Sequence, residues 1–353
     1  MRPHHFDRQG LRCEPRPGGD LLKKADSAVE KIFSIAEKIA TPLSLAALAL
    51  LILYAVYKLI FSRLPFQKVV GPHVYLLASR AMTLLFVLGL AALILGILSY
   101  VLVLYVNAAR AEKANVLLRD LDNDSAVVRV ASIDGLVGLA GLDKAVDATM
   151  CDGISSFVRQ HTKAGRKRIS GHLESDLQAA VRALSKLIDR DHCAPVDLSG
   201  SDLRGLDLVR GKLRRTILSQ ALLDEANLTG TDFTEAHLIG SSLVETTLRN
   251  AKLTNAIMSD ARFERTDLRG ADLRGAKGLA GADLETAVMG HAILIGVDLR
   301  SAKLPIETTM SGVLLAGADL RQADLRFVKG ICKQDVDAAV TDQTTRFPQK
   351  YSC

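Results

Sequence analysis

Five cations, Arg159, Lys163, Arg166, Lys167 and Arg168, fall within ten residues with no acid between them. A cluster of that density attracts anionic lipid headgroups at about 1 kcal/mol per charge, and it equally suits a solvated loop between helices. Nucleic acid is disfavoured as a partner, because no aromatic ring is interleaved to stack on bases. His192 and Cys193 stand beside Asp189 and Asp191, but no second ligand pair lies at a spacing that would close a metal site. Gly135, Gly138 and Gly141 form GxxGxxG, which is a helix-packing spacing and not a dinucleotide fingerprint; HExxH, GxxxxGK[ST] and GxSxG are missing from the sequence. Many aspartates recur at regular intervals, which marks them as fold residues that cap local turns and not as paired acids. No catalytic residue, metal or cofactor is expected, and the chain reads as a non-enzyme.

The elements that position these residues derive from one period. From 196 to 327 a pattern recurs every five residues, as in ANLTG TDFTE AHLIG and TDLRG ADLRG. Its central positions run Leu198, Leu203, Leu208 and onward to Leu273, then Leu279 to Leu304, then Met310 to Leu325, and all 26 are Leu, Phe or Met. Two positions earlier the residue is small, as at Ser201, Ala221, Ala236, Ala271 and Ala323. A five-residue unit cannot bury its own apolar face, so it must stack on copies of itself. If the chain turns through about a right angle after each pentad, four pentads close a square coil, and coils stack at about 4.8 Å. An extra residue enters between Leu273 and Leu279 and again between Leu304 and Met310, near Gly278 and Pro305. Each reads as a corner bulge or as a feature that shapes a partner site.

These residues resemble the pentapeptide-repeat family, whose fold is a right-handed four-sided β-helix. The resemblance implies a pentapeptide-repeat solenoid over 196–327 and a non-enzymatic, protein-binding role. Some soluble members of the family mimic DNA and inhibit topoisomerases. That role requires a strongly acidic rod, whereas 196–327 carries 18 acids against 16 bases and is locally basic at Arg204, Arg210, Lys212, Arg214 and Arg215.

Residues 1–19 are polar with Pro and Gly and read as disordered. Residues 20–38 form an amphipathic helix, either interfacial and self-associating or a helical extension of the membrane anchor. Two uncharged runs, Ile39 to Tyr57 and Ala81 to Ala109, predict transmembrane helices at 39–61 and 81–109 joined by a loop at 62–80. Ala92 and Gly96 offer a small-residue packing face. Apart from Lys58 at one end the spans carry no ionisable group, which favours an anchor over a conduction path. Residues 110–195 form a short helical adaptor. In it Ser125 or Asp124 caps a helix with an apolar stripe at Val127, Val130, Ile133 and Leu136, and helices follow over about 143–161 and 173–189. Asp124 to Leu136 resembles a single HEAT-type helix, in which an Asp and Arg129 tie turn to helix. Residues 328–353, with a helical run at 333–340, cap the far end of the solenoid.

The order of parts is similar to a group of bacterial membrane-anchored pentapeptide-repeat proteins. Two transmembrane α-helices and a short helical adaptor would then hold a β-helical rod at the membrane for an unidentified protein partner. The alternative is an oligomeric membrane assembly, a pore or sensor, built by homo-oligomeric hairpins. Seven Lys and Arg flank the spans on the terminal side against four in the connecting loop. The positive-inside rule then places the N-terminus and the repeats in the cytoplasm, at the bacterial inner membrane. Five scattered cysteines without a CxxC pair suggest neither a disulfide framework nor zinc, and fit a reducing compartment.

Overall fold

The computed structural model describes Ile52, Tyr54 and residues 71–352 except 142, 163–172, 190–192, 194 and 307–308. The chain divides into two compact units between Val106 and Asn107. Helix α1, Pro72–Arg119, runs for 48 residues, and its stretch Leu76–Asp122 is long and apolar enough to cross a membrane. Proline suits the first helical position, where the missing N–H would be unpaired anyway, and no second proline interrupts the run. The expected span 81–109 is therefore the middle of a longer helix. Residues 72–80, assigned from sequence to a loop, are helical, because one charge at Arg80 is no helix breaker. The other expected span, 39–61, lies outside the described residues except Ile52 and Tyr54, both helical, and the Tyr54 ring stands 4.4 Å from that of Phe86. So α1 is the one helix among the described residues that meets the requirement. The hydroxyls of Thr83 and Ser99 donate to the carbonyls of Ser79 and Gly96 in the same helix.

In the second unit a 3-10 turn, Asp120–Asp122, leads to α2 (Ala126–Leu139), α3 (Lys144–His161) and α4 (Ser175–Ile188). Helix α4 packs on both α2 and α3. The last turns of α1 enter the same core through Ala114, with Leu121 following in the turn. Two glycines make this approach close: a Cβ on Gly135 would meet Leu117 Cδ1 at 3.0 Å, and one on Gly153 would collide with Leu118. The packing reading of the glycine run thus holds for Gly135. Gly138 has open space beside it, and Gly141 lies beyond the end of α2 with φ of 112°. The buried face of α2 is Ser132, Ile133 and Leu136; Val127, expected in the stripe, is 78% exposed, because the first turn extends past the neighbouring helices.

Arg129 ties this unit together. Its Nε donates to Asp176 Oδ2 at 2.6 Å, and its Nη1 to the carbonyls of Asn123 and Asp124 at 2.7 and 3.0 Å. The acid it needs comes from α4, 47 residues on, and not from the turn itself. Asp176 is 2% exposed.

The solenoid follows. Parallel bridges join residues about one coil apart on four sides: Asp197, Ile217, His237 and Ile257 on the first; Asp202, Leu222, Ser242 and Arg262 on the second; Asp207, Asn227, Thr247 and Asp267 on the third; Lys212, Asp232, Lys252 and Asp272 on the fourth. Every central residue from Leu198 to Leu325 is buried, Leu208 being the most exposed at 5%. Most corners close with an N–H to C=O bond over three residues, such as Ser201 N to Leu198 O at 3.3 Å, and carry a positive φ at the residue before the donor. Glycine fills that place at Gly200 and Gly230, but so do Arg210, Glu225, Asn250 and Gln322. At the first insertion Gly278 is required, since its φ is 84° and a Cβ would lie 2.6 Å from Ser259 Cα. The far end is covered by α5 (Lys333–Asp337) and by Val340 and Arg346, which extend the first and second sides. The helical run expected to reach residue 340 stops at Asp337 because Val340 joins the ladder.

Candidate functional site

Two surfaces of the second unit carry chemistry: the lower end of the solenoid, where the adaptor meets it, and the sides. A first coil has no coil beneath it, so its edge presents polar groups that an internal coil would pair. Side chains of α3 and α4 take that role. Gln178 accepts from Asp207 N at 3.0 Å and donates to Asp207 O at 2.6 Å, a two-point imitation of a strand. Arg182 reaches the same carbonyl and Asp207 Oδ2, Ser185 Oγ accepts from Lys212 N at 2.7 Å, and Arg159 Nη1 donates to both Asp197 O and its carboxylate. Burial pushes the Asp197 carboxyl up, but bonds from Ser199 and the Arg159 guanidinium outweigh it and hold the group below the usual range.

The cover is incomplete in one respect. Buried threonines in later coils give their hydroxyls to a carbonyl of the coil below, as Thr231 to Leu208 O, Thr246 to Leu223 O and Thr266 to Leu243 O at 2.6 to 2.8 Å. Ser201 in the first coil and Thr216 at the start of the second occupy the equivalent place, and their hydroxyls are buried without a partner among the described residues. The position that would accept, 23 residues earlier, precedes the first coil in both cases.

Cys151, buried on α3, is disulfide-bonded to Cys193 in the segment leading to the first coil, with Cα atoms 5.9 Å apart. Cys332 is disulfide-bonded as well. The expectation that the cysteines form no disulfides is corrected here for Cys151, Cys193 and Cys332. Spacing along the chain held no sign of the pair, because the fold brings together residues 42 apart.

The sides are built from self-neutralising pairs. In each Asp-Leu-Arg pentad the aspartate accepts the N–H of the residue two ahead, and that arginine folds back onto the same carboxylate. Arg321 does so on Asp319 at 2.9 and 2.5 Å, and Arg326 on Asp324. The pattern repeats at Asp202, Asp267, Asp272 and Asp298. The paired guanidinium lowers the carboxyls of Asp319 and Asp324 to about 2, and that of Asp298 below the usual range. Between coils, Lys303 meets Asp283 at 2.8 Å and Arg346 meets Asp324 at 3.3 Å. The aspartates read from sequence as turn-capping residues do cap turns, and each also holds an arginine.

Of the basic cluster, Arg159 is committed to the first coil, while Lys163, Arg166, Lys167 and Arg168 lie outside the described residues. Among the described residues no group of His, Cys, Asp and Glu could hold a metal ion. Two hollows are shallow: one of about 290 Å³ between α2 and α4, bordered by Asp134, Gln178, Arg182 and Lys186, and one of about 430 Å³ beside Arg300, Arg321 and Asp342. The arginines of the second are already bound to Asp298 and Asp319. Neither hollow gathers a nucleophile and a base.

Residues 218–250 and 248–277 match the family model described as pentapeptide repeats, in eight copies. Parallel bridges continue below and above that stretch, from Asp197 to Arg346, at a spacing of 20 residues that widens to 21 or 22 where extra residues enter. Solved structures similar to the chain include a trypsin-treated form of QnrB1, a plasmid-mediated fluoroquinolone resistance protein, at 16% identity over 43% of this chain and 77% of that one, TM-score 0.27. A pentapeptide repeat protein from the cyanobacterium Cyanothece 51142 is 25% identical over 45% of this chain and 68% of that one, TM-score 0.16. One from the Arabidopsis thaliana thylakoid lumen is 26% identical over 36% and 66%, TM-score 0.16. Among curated proteins none matches.

Proposed function

We propose that the pentapeptide-repeat solenoid of this chain is a rigid, non-enzymatic platform for a protein partner, held at a membrane by α1 and the segment before it. The observation that carries the reading is the closure of the rod. Its backbone is paired from coil to coil, its lower end is covered by side chains of α3 and α4, and the arginines of the hollow beside Asp342 are already paired. Such a surface changes little on its own and suits binding by shape along a side. Anchoring draws support from the length and apolar character of α1. Its hydroxyls at Thr83 and Ser99 are satisfied within the helix, which favours an anchor over a pore. The alternating acid and base pairs are the opposite of the acidic rod that DNA mimicry requires.

Two signals bear on the side of the membrane. The charge bias around the spans favours the cytoplasm, whereas the Cys151–Cys193 bond favours an oxidising compartment. Alkylation of free thiols in intact cells before lysis decides between them: modified Cys151 and Cys193 put the rod in the cytoplasm, and protected ones put it outside.

The platform is tested by crosslinking in native membranes, with the crosslinked residues mapped by mass spectrometry. A stoichiometric foreign protein crosslinked to one side of the rod is expected. Crosslinks that join only copies of this chain through residues of α1 would replace the platform with an oligomeric membrane assembly.

A further inference from the structure

Ten arginines of the solenoid, from Arg204 to Arg346, sit in ion pairs with a neighbouring aspartate or glutamate. One side of the first coil departs from that rule. Residues 210–215, Arg-Gly-Lys-Leu-Arg-Arg, place Arg210 at one corner, Lys212 on the fourth side and Arg214 and Arg215 at the next corner. The Lys212 backbone N–H donates to Ser185 Oγ, and Lys186 is exposed at the following position of α4. The side chains of Lys186, Arg210, Lys212 and Arg214 reach no carboxylate among the described residues. Arg215 is partnered. Asp232, on the coil above Lys212, is buried, and its Oδ1 is taken by the N–H and hydroxyl of Thr234. Arg182, the other exposed cation of α4 nearby, is spent on Asp207. Val209, next to Arg210, is 49% exposed and adds an aliphatic contact.

We propose that this side of the first coil, with Lys186, is a landing surface for anionic phospholipid headgroups of the bilayer that α1 crosses. The proposal rests on the anchored reading above. Three features favour a lipid surface over an acidic protein. The patch is a row of separate point charges, and the hollow that Lys186 borders is lined by α2 and α4 alone and takes in none of the solenoid cations. The last turns of α1 belong to the same compact unit as the patch. And since the charges meet no acid among the described residues, they suit neutralisation by a diffuse anionic layer, to which each contributes independently.

The test uses the full chain reconstituted in phosphatidylcholine vesicles with and without phosphatidylglycerol, and reads the acetylation rate of individual lysines by mass spectrometry. With phosphatidylglycerol, Lys186 and Lys212 are expected to react at least about fivefold more slowly, the factor that one charge's attraction to an anionic surface corresponds to. Lys329, on the third side near the far end, should keep its rate, and high salt should erase the difference. In the variant Arg210→Gln/Arg214→Gln, whose side chains hold nothing in the fold, the two lysines should lose most of that protection. Equal rates in both vesicles would overturn the proposal. So would protection by soluble polyglutamate but not by phosphatidylglycerol, which would assign the patch to an acidic protein. Carbonate extraction of the same vesicles separates the two readings: a chain that is extracted was never anchored, and both fall, whereas an anchored chain with unprotected lysines removes the lipid surface alone.

Discussion

The first coil and the coils stacked on it are written in the same five-residue pattern and behave differently, because only the later ones have a coil beneath them. In the later coils polar groups find partners one turn down, as Asp232 N on Gly211 O, Thr231 Oγ1 on Leu208 O and Arg346 on Asp324, although Glu264 Oε2 is buried without one among the described residues. At the lower end those partners are borrowed from α3 and α4, through Arg159, Gln178, Arg182 and Ser185, or, at Ser201 and at Thr216 where the second coil begins, are missing among the described residues. A repeat protein is therefore uniform only in its interior. Its end is where specific long-range contacts must do what periodicity does elsewhere.

The sharpest way to break the difference is to loosen the borrowed cap. The Cys151–Cys193 bond closes a loop of 42 residues that contains α4, which corresponds to about 4 kcal/mol on the chain-entropy account. Cys151→Ser/Cys193→Ser is expected to lower the stability of the adaptor and first coil by about 2 to 4 kcal/mol and to leave the upper coils nearly unchanged. Hydrogen exchange resolved along the chain checks this. Amides of 198–215 should lose protection while those of 238–273 keep it, and a uniform loss over both would show that the cap and the rod unfold as one.

How much of this was legible in the sequence follows the same divide. Central Leu and Phe residues and the small residues before them stand at a fixed spacing, so the coil, its four sides and its buried ladder could be read from the chain alone. The corners could not, since the positive-φ place is held by Arg210, Glu225 or Gln322 as often as by glycine, and composition hides it. Contacts at the end are formed between residues far apart. Arg129 finds Asp176 at a separation of 47, Arg159 finds Asp197 at 38, and Cys151 finds Cys193 at 42. No local pattern records such pairs. Arg159 looked like one of five equivalent charges until the fold assigned it a carboxylate, while Arg210, Lys212 and Arg214 looked like repeat residues until the fold left them without one.

A smaller effect sharpens the contrast by its sign. Thr231→Val removes a hydroxyl that is bonded to Leu208 O and leaves that carbonyl one acceptor bond short, for an expected loss of about 1 kcal/mol. Thr216→Val removes a buried hydroxyl that has no partner, so the same change should be neutral or stabilising by about 1 kcal/mol. The two urea midpoints are expected to move in opposite directions. Movement of both downward would mean that the Thr216 hydroxyl is satisfied in solution, and that the lower end of the solenoid is less unlike its interior than its partners indicate.

The smallest effect lies in the acid limb of stability and belongs to the upper coils. Asp319 and Asp324 are held at about 2 by Arg321 and Arg326, below the ordinary aspartate value of 3.8. A carboxyl depressed on folding adds stability that is fully present above its unfolded value and is lost as pH falls through its folded one, because the unfolded chain takes up the proton first. The window is therefore from about pH 4 down to about 2. Both groups lie at the surface, where such pairs contribute little singly and salt screens them. The expected outcome is a shallow fall in stability below about pH 4, flattened by high salt and by Asp319→Asn/Asp324→Asn. Lys212 and Arg214 on the first coil reach no carboxylate among the described residues and take no part in that limb, whereas Asp202 with Arg204 does. If the variant kept the full acid slope, the pairs of the upper coils would be ornaments of the corner geometry and would carry no weight in stability.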